Sequence, residues 1–337
     1  MRVRVRGWVP RFGQYVLVVW VAATLNFALP HLAPGDPVYY LYGGESSLDE
    51  AQLATVRASY GLDDSLLAQY LDFFWAGLAH GDLGTSIEYN RPVSDVILER
   101  LPWTLVLVGL STLLAAALGT LLGAFAAWRH TRRSDTSVLT GVLAVDAMPG
   151  FWIGMLLISI FSVKLGWFPS YGAATITAEG TDWLAEAATR LVLPVATIVL
   201  ASMGTFFLLA RASMVSVLDE PYVRLARAKG ISERRVATHH ALRTALLPVY
   251  TNLTVAVGGL LSGAVVVETV FAYPGLGRLL YDAVIVRDYP LLQAGFLVVT
   301  LGVIGANLVA ELTYPLLDPR VRRHAGNASP PVEPALP

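Results

Sequence analysis

No cysteine occurs in the 337 residues, which excludes disulfides, thiolate-bound metals and thiol nucleophiles. Lysine is almost as scarce. Lys164 and Lys229 are the only two, and neither lies in the GxxxxGK[ST] setting that lets a lysine reach nucleotide phosphates. HExxH and GxSxG are missing too. The six histidines (His31, His80, His130, His239, His240, His324) show no metal-ligand spacing. Adjacent His239 and His240 leave a helix on different faces, so one ion cannot easily use both. Gly275-Leu276-Gly277 lacks the rest of a dinucleotide fingerprint. The chain is therefore expected to bind no metal or cofactor and to catalyse nothing by itself. Its net charge of −1 implies no bulk attraction to nucleic acid.

What the chain has is apolar length. Hydrophobic residues make up 55% and charged residues only 15%, the profile of an integral membrane protein. An uncharged run from Phe12 to Gly35 follows Arg2, Arg4, Arg6 and Arg11. That layout resembles a signal peptide, but the run is long for one and offers no small-x-small cleavage site. A retained first transmembrane helix over roughly 13–31 is expected. Further runs cover Leu101–Trp128, Thr136–Val163 (interrupted only by Asp146), Leu191–Ala210, Thr244–Val267 and Tyr289–Ala310. Each reaches the ~20 residues that cross a hydrocarbon core as helix. Six spans are expected.

Charge location sets the orientation. Four arginines precede the first span, three basic residues lie in 129–133, seven in 211–243 and three in 320–323, seventeen of twenty-four in all. With six spans these fall on one side, which the positive-inside rule makes cytoplasmic together with both termini. Residues 32–101 hold eleven acids and only Arg57, Arg91 and Arg100. That segment is expected to be extracytoplasmic and helical, with helix signals at Ser47–Tyr60 and Ser65–Ala79.

Several intramembrane features have two readings. Gly119 and Gly123 form GxxxG, a sign of close helix approach, though general packing explains a lone copy as well. Asp146 precedes Met148-Pro149-Gly150, where Pro149 removes a hydrogen bond and Gly150 loosens the helix. The carboxylate either faces a translocation pathway or is a protonated acid bonded to a neighbouring helix. Glu268, Arg278, Asp282, Arg287 and Asp288 surround a Tyr273-Pro274-Gly275 turn. They either meet solute or partner there, or pair internally.

The stretch Leu218–Pro248 is a basic island between apolar runs. Arg224, Arg227, Lys229, Arg234, Arg235 and Arg243 face only Asp219, Glu220 and Glu233. Pro221 starts a helix, Gly230 stops it, and Ser232 can cap a second short helix from Glu233. Two short helices hinged at a glycine suit a docking element better than a plain connector.

YVRLARAKGISERRVATHHALRTALLP, residues 222–248, resembles the cytoplasmic "EAA" loop of membrane subunits in binding-protein-dependent ABC importers, the oligopeptide/dipeptide/nickel branch. Gly230 stands at the motif's glycine and Ala226 at its second alanine. Arg224 takes the glutamate position, Leu225 the first alanine, and His240–Arg243 the IxLP segment. The resemblance extends through PGDPV (34–38), YGLDDSLLAQYLDF (60–73), HGDLGTS (80–86), RPVSDVILERLPWTLVL (91–107), ETVFAYPGLG (268–277), RDYP (287–290) and NLVAELTYPLLDPR (307–320).

The resemblance implies an all-α permease of the type I ABC importer fold, divided as 1–31, 32–100, 101–315 with a coupling loop at 216–245, and a tail at 316–337. It implies a second related permease, two cytosolic ATPases that bind ATP and Mg, and an extracytoplasmic solute-binding protein. Peptides are the leading solute class. Arg224, Ala226, Lys229, Gly230, Ser232, Glu233, Arg234 and Arg235 would couple to the ATPase. Asp146, Pro149, Glu268, Arg278 and Asp288 would line the pathway or its entrance. The rival is a stand-alone secondary transporter or channel. It calls for an inverted repeat that helices 1–3 and 4–6 do not show.

Overall fold

The computed structural model describes residues 8–32, 38, 49–129, 133–173 and 180–317. Arg2, Arg4 and Arg6, most of PGDPV and the Asp318-Pro319-Arg320 ending lie outside the described residues, as do the side chains of Arg11, Glu311 and Tyr314. Among the described residues the chain is all-helical, apart from an isolated bridge between Thr85 and Pro92.

Helix α1 is Trp8–Leu32, followed by α2 (Glu50–Ser59) and α3 (Leu66–Asp72), which continues as a π-helix to His80. Asp49 opens α2 with a capping box: its carboxylate accepts from Gln52 N, and the Gln52 side chain accepts from Asp49 N. Ser65 caps α3, and Gly81 ends it at φ 73, a left-handed conformation that glycine adopts without a Cβ penalty. His31 ties α1 to this hairpin through its Nε2 and Gln69 Oε1, 2.9 Å apart.

The long helices follow: α4 (Val93–Trp128), α5 (Arg133–Asp146), α6 (Gly150–Leu157, with a π-helix to Lys164) and α7 (Gly180–Leu218). Then come α8 (Pro221–Ala228), α9 (Glu233–Arg235), α10 (Leu242–Val270), α11 (Leu276–Val286) and α12 (Tyr289–Leu317). Helices α4 and α7 outrun the apolar stretches expected at 101–128 and 191–210. Hydropathy reports membrane depth, whereas helix ends follow hydrogen bonding and caps. Among the described residues, four helices are long and apolar enough to cross a membrane, α1, α4, α7 and α12, and a fifth if the bent pair α5–α6 counts as one span. Helix α10 has 29 residues and runs through the remaining expected span.

The expected run 136–163 is not one rod. Helices α5 and α6 meet at 96°, far beyond a kink. The proline has no N–H to continue α5, and its own carbonyl begins α6 by accepting from Trp152 N at 3.0 Å.

The GxxxG pair does bring backbones together. A Cβ on Gly119 would lie 2.5 Å from Met203 O and 2.8 Å from Phe206 Cβ, and one on Gly123 would lie 3.0 Å from Arg211 N. Helices α4 and α7 thus run parallel in direct contact, with Phe206, Phe207 and Ala210 buried between them. That seam is the spine of the core. Leu107, Ala115, Ile198, Phe206, Val267, Phe271 and Tyr273 share one apolar cluster.

Candidate functional site

Chemistry gathers at three levels: the turn joining α7 to α10, the α5–α6 break, and the opposite end around α11.

At the first level, α8 begins at Pro221 with Glu220 as N-cap, but no side-chain cap bond forms there. Its period buries Val223 and Ala226 and turns Arg224 and Leu225 outward. The buried face joins Met214, Val217, Val236, Ala237, Ala241 and Ala245 in an apolar cluster with Ala127 of α4. Ala226 is therefore a packing residue, and a larger side chain there would lift α8 off its seat. Gly230 sits at φ 78 with open space around its Cα, so its need is conformational rather than steric. Glu233 Oε1 and Oε2 accept from Arg227 Nε and Nη2 at 2.9 and 3.3 Å, clamping the chain across the glycine. Tyr222 Oη donates to Thr244 Oγ1 at 3.1 Å, holding α8 to the start of α10.

Two expectations are corrected here. Ser232 makes no side-chain cap; only its carbonyl accepts, from Arg235 N at 2.9 Å and Val236 N at 3.0 Å. The second short helix is not free either. Helix α9 passes through a π-helix at Val236–Ala241 directly into α10, because Val236, Ala237 and Ala241 keep an apolar face on the bundle. The turn therefore has one separate arm, α8, and one arm continuous with a long helix. Arg224, Lys229, Arg234 and Arg235 give the turn an exposed basic rim, and Leu225 is exposed too.

At the second level, Asp146 is the last residue of α5 and Pro149 the N-cap of α6. The Asp146 side chain abuts Gly204 of α7, where an added Cβ would overlap it. At the other end of α5, Asp135 accepts from Arg211 Nε and Nη2 at 2.9 and 2.7 Å. Arg211 had been counted only as a loop charge. Nothing in its spacing announces a partner 76 residues away.

At the third level, Glu268 ends up 0% exposed. Its Oε1 accepts from Thr104 Oγ1 at 2.6 Å and its Oε2 from Arg278 N at 2.9 Å, with Gly277 N also donating. Leu276 N donates to Thr104 Oγ1 at 2.7 Å. The first three N–H groups of α11 are thus satisfied, and an anion sits at the positive end of its dipole. Gly275 is required because the Glu268 carboxylate occupies the space of its Cβ.

Asp288, also 0% exposed, caps α12: Oδ1 accepts from Leu291 N at 3.1 Å, and Oδ2 from Glu88 N at 3.1 Å and from Ser86 Oγ. Arg287 just before it takes φ 59. Arg278 stays partly exposed, donating from Nη1 to Ala272 O at 2.6 Å and approaching Asp282 at 3.7 Å. Of the two readings for this group, internal pairing describes Glu268 and Asp288. Thr104 and Ser86, their partners from distant sequence, carried no signal that a linear reading could use.

Comparison with known proteins places these features in a family context. The pattern of the binding-protein-dependent transport system inner membrane component matches residues 119–323, and that family's N-terminal component matches residues 5–108. The di/tripeptide transport system permease protein DppB of Pseudomonas aeruginosa is 38% identical over 328 residues, covering 93% of this chain and 97% of that one. The oligopeptide transport system permease protein AppB of Bacillus subtilis is 37% identical over 299 residues, 88% of this chain and 93% of that one. The glutathione transport system permease protein GsiC of Salmonella paratyphi A is 41% identical over 309 residues, 90% and 94%.

Proposed function

The chain belongs to the family of binding-protein-dependent transport system inner membrane components, and from that premise we propose how it works as the permease subunit of an ATP-driven ABC importer for peptides or related small solutes. Six spans cross the membrane, counting α5–α6 as one and α10 as another. Both termini and residues 216–245 face the cytoplasm, and residues 32–100 form an extracytoplasmic cap. The arginine distribution supports this orientation. A second related permease, two cytosolic ATPases carrying ATP and Mg, and a solute-binding protein complete the machine.

The observation that carries this reading is the turn at α8. A stiff short helix with an apolar seat, an ion-pair clamp and an exposed basic rim is what docking on an ATPase requires. Arg224, Lys229, Arg234 and Arg235 meet the ATPase, while Ala226, Gly230, Ser232 and Glu233 hold the shape that presents them. ATPase closure pushes α8, and α9–α10 and α7 move with it as packed rods, because cores and interfaces switch between discrete packings rather than deform smoothly. The moving pathway passes Asp146 and Pro149 at the break. Arg278 serves the outer entrance, supported from beneath by Glu268 and Asp288.

Di- and tripeptides, oligopeptides and glutathione share a free ammonium group and a carboxylate, and we propose solutes of that class here. ATP hydrolysis by the purified complex in lipid, with and without candidate binding proteins, tests the reading. Stimulation by one loaded binding protein is expected. A protein that purifies alone and moves solute down an ion gradient would overturn it.

A further inference from the structure

Asp146 is the single charge in residues 136–163, and the structure holds it in a defined place. One face of the carboxylate rests on Gly204, where no other residue would leave room for it. Helix α5, which carries it, is fastened to α7 at its far end by the bidentate Asp135–Arg211 pair. Beyond it the chain turns by 96°, so no helical turn covers its other face. Asp146 is an exposed residue, and it takes part in no hydrogen bond or ion pair among the described residues.

Across the break, from Gly150 onward and two to three residues before Gly204 on α7, lies a cleft of about 280 Å³ lined by Gly150, Phe151, Ala201, Ser202, Val266 and Val267. It contains no charged side chain. A carboxylate at membrane depth with nothing to pair it is costly, and it marks a place where a cation arrives.

We infer that Asp146 is the subsite that receives the ammonium end of the transported solute as it passes the α5–α6 break, with the uncharged cleft taking the adjoining side chain. The inference rests on the peptide-importer reading above and deepens it. In a low-dielectric, apolar passage an ammonium–carboxylate contact discriminates far better than in water. Neutralising either partner removes that discrimination. Asp135 and Arg211 act as positioning residues, since they keep α5 in register on α7.

The test uses the complete complex in proteoliposomes with its binding protein. ATP-driven initial uptake is measured for a tripeptide and for its N-acetylated form, each divided by the fraction of binding protein loaded. Wild type is expected to favour the free amine by roughly tenfold or more, the factor one modest charge contact supplies. Asp146→Asn should bring the ratio close to one, and Asp146→Glu should retain part of it. Because the ratio compares two solutes on one preparation, loss of folding or assembly does not imitate this result.

A ratio unchanged by Asp146→Asn overturns the inference, as does a wild type that does not discriminate. Loss of the sister permease from the Asp146→Asn complex, with the ratio retained in the remainder, also overturns it and assigns the carboxylate to a subunit contact. A wild-type complex that takes up neither peptide with ATP instead sinks the importer-for-peptides reading itself.

Discussion

Near the C-terminal end of α10, Glu268 is 0% exposed and its oxygens accept from Thr104 Oγ1, Arg278 N and Gly277 N. Roughly 50 Å away along the chain's helical rise, Arg234 and Arg235 stand exposed on α9, which runs on into α10. The first end stores its charge inside and closes around it. The second displays its charge and encloses only apolar side chains, Val223 and Ala226 among them. The same helix thus joins a sealed anchor to an open basic edge. The contrast teaches that charge burial, not charge count, separates an end that is locked from one that is displayed.

Breaking the sealed end should have the largest effect on stability. Glu268→Ala strands the Thr104 hydroxyl and two amide donors away from water, so a loss of about 3–5 kcal/mol is expected. Thermal unfolding of the detergent-solubilised complex reads it, and a transition within a degree of wild type would show that the anchor is not one. Gly275→Ala attacks the same lock from the other side, forcing the carboxylate off the α11 amides. It should cost about 1–3 kcal/mol and be partly offset in the Glu268→Asp background, whose shorter side chain frees the space.

At the open end the signs reverse. Arg234→Glu with Arg235→Glu should leave unfolding within about 0.5 kcal/mol of wild type. Uptake should nevertheless fall by roughly tenfold or more, since like-charge contacts at an interface cost several kcal/mol. Normal uptake by that double variant would remove the docking role from the basic rim.

Gly230→Val lies between the two cases. The site is open, so only backbone strain opposes it, about 1–3 kcal/mol. The expected signature is uncoupling, with ATP hydrolysis kept and transport reduced. The smallest effect belongs to Arg227→Ala. The Arg227–Glu233 pair is 39% and 56% exposed, so about 0.2–1 kcal/mol is at stake. A loss well beyond 1 kcal/mol would mean the clamp, rather than the apolar seat of α8, holds the turn.

Much of this architecture was legible along the chain. Apolar runs marked the long helices, helix signals within 32–101 marked α2 and α3, and Gly230 marked the turn. These are properties of consecutive residues, and local hydrogen bonding and hydropathy act on consecutive residues. The α8 element was anticipated with its proline start and glycine stop. Its sequel was not, because whether α9 stands alone or runs into α10 depends on Val236, Ala237 and Ala241 finding a buried surface contributed by α4 and α7. Pro149 and Gly150 mark a weakened helix after Asp146 in the sequence, and the 96° angle there reflects where α6 packs: Gly154 lets it approach Phe271 and Thr197.

By itself, then, the sequence determined the helical class, four to five of the membrane-length helices, the asymmetry of positive charge and the family-like loop, all short-range or compositional. Tertiary structure alone decided which charges are hidden and which are offered. Thr104 with Glu268, Ser86 with Asp288 and Asp135 with Arg211 are separated by 164, 202 and 76 residues. Only packing of helices distant in the chain brings such groups within hydrogen-bond reach. The cost of leaving a buried charge unpaired then makes those meetings obligatory rather than optional.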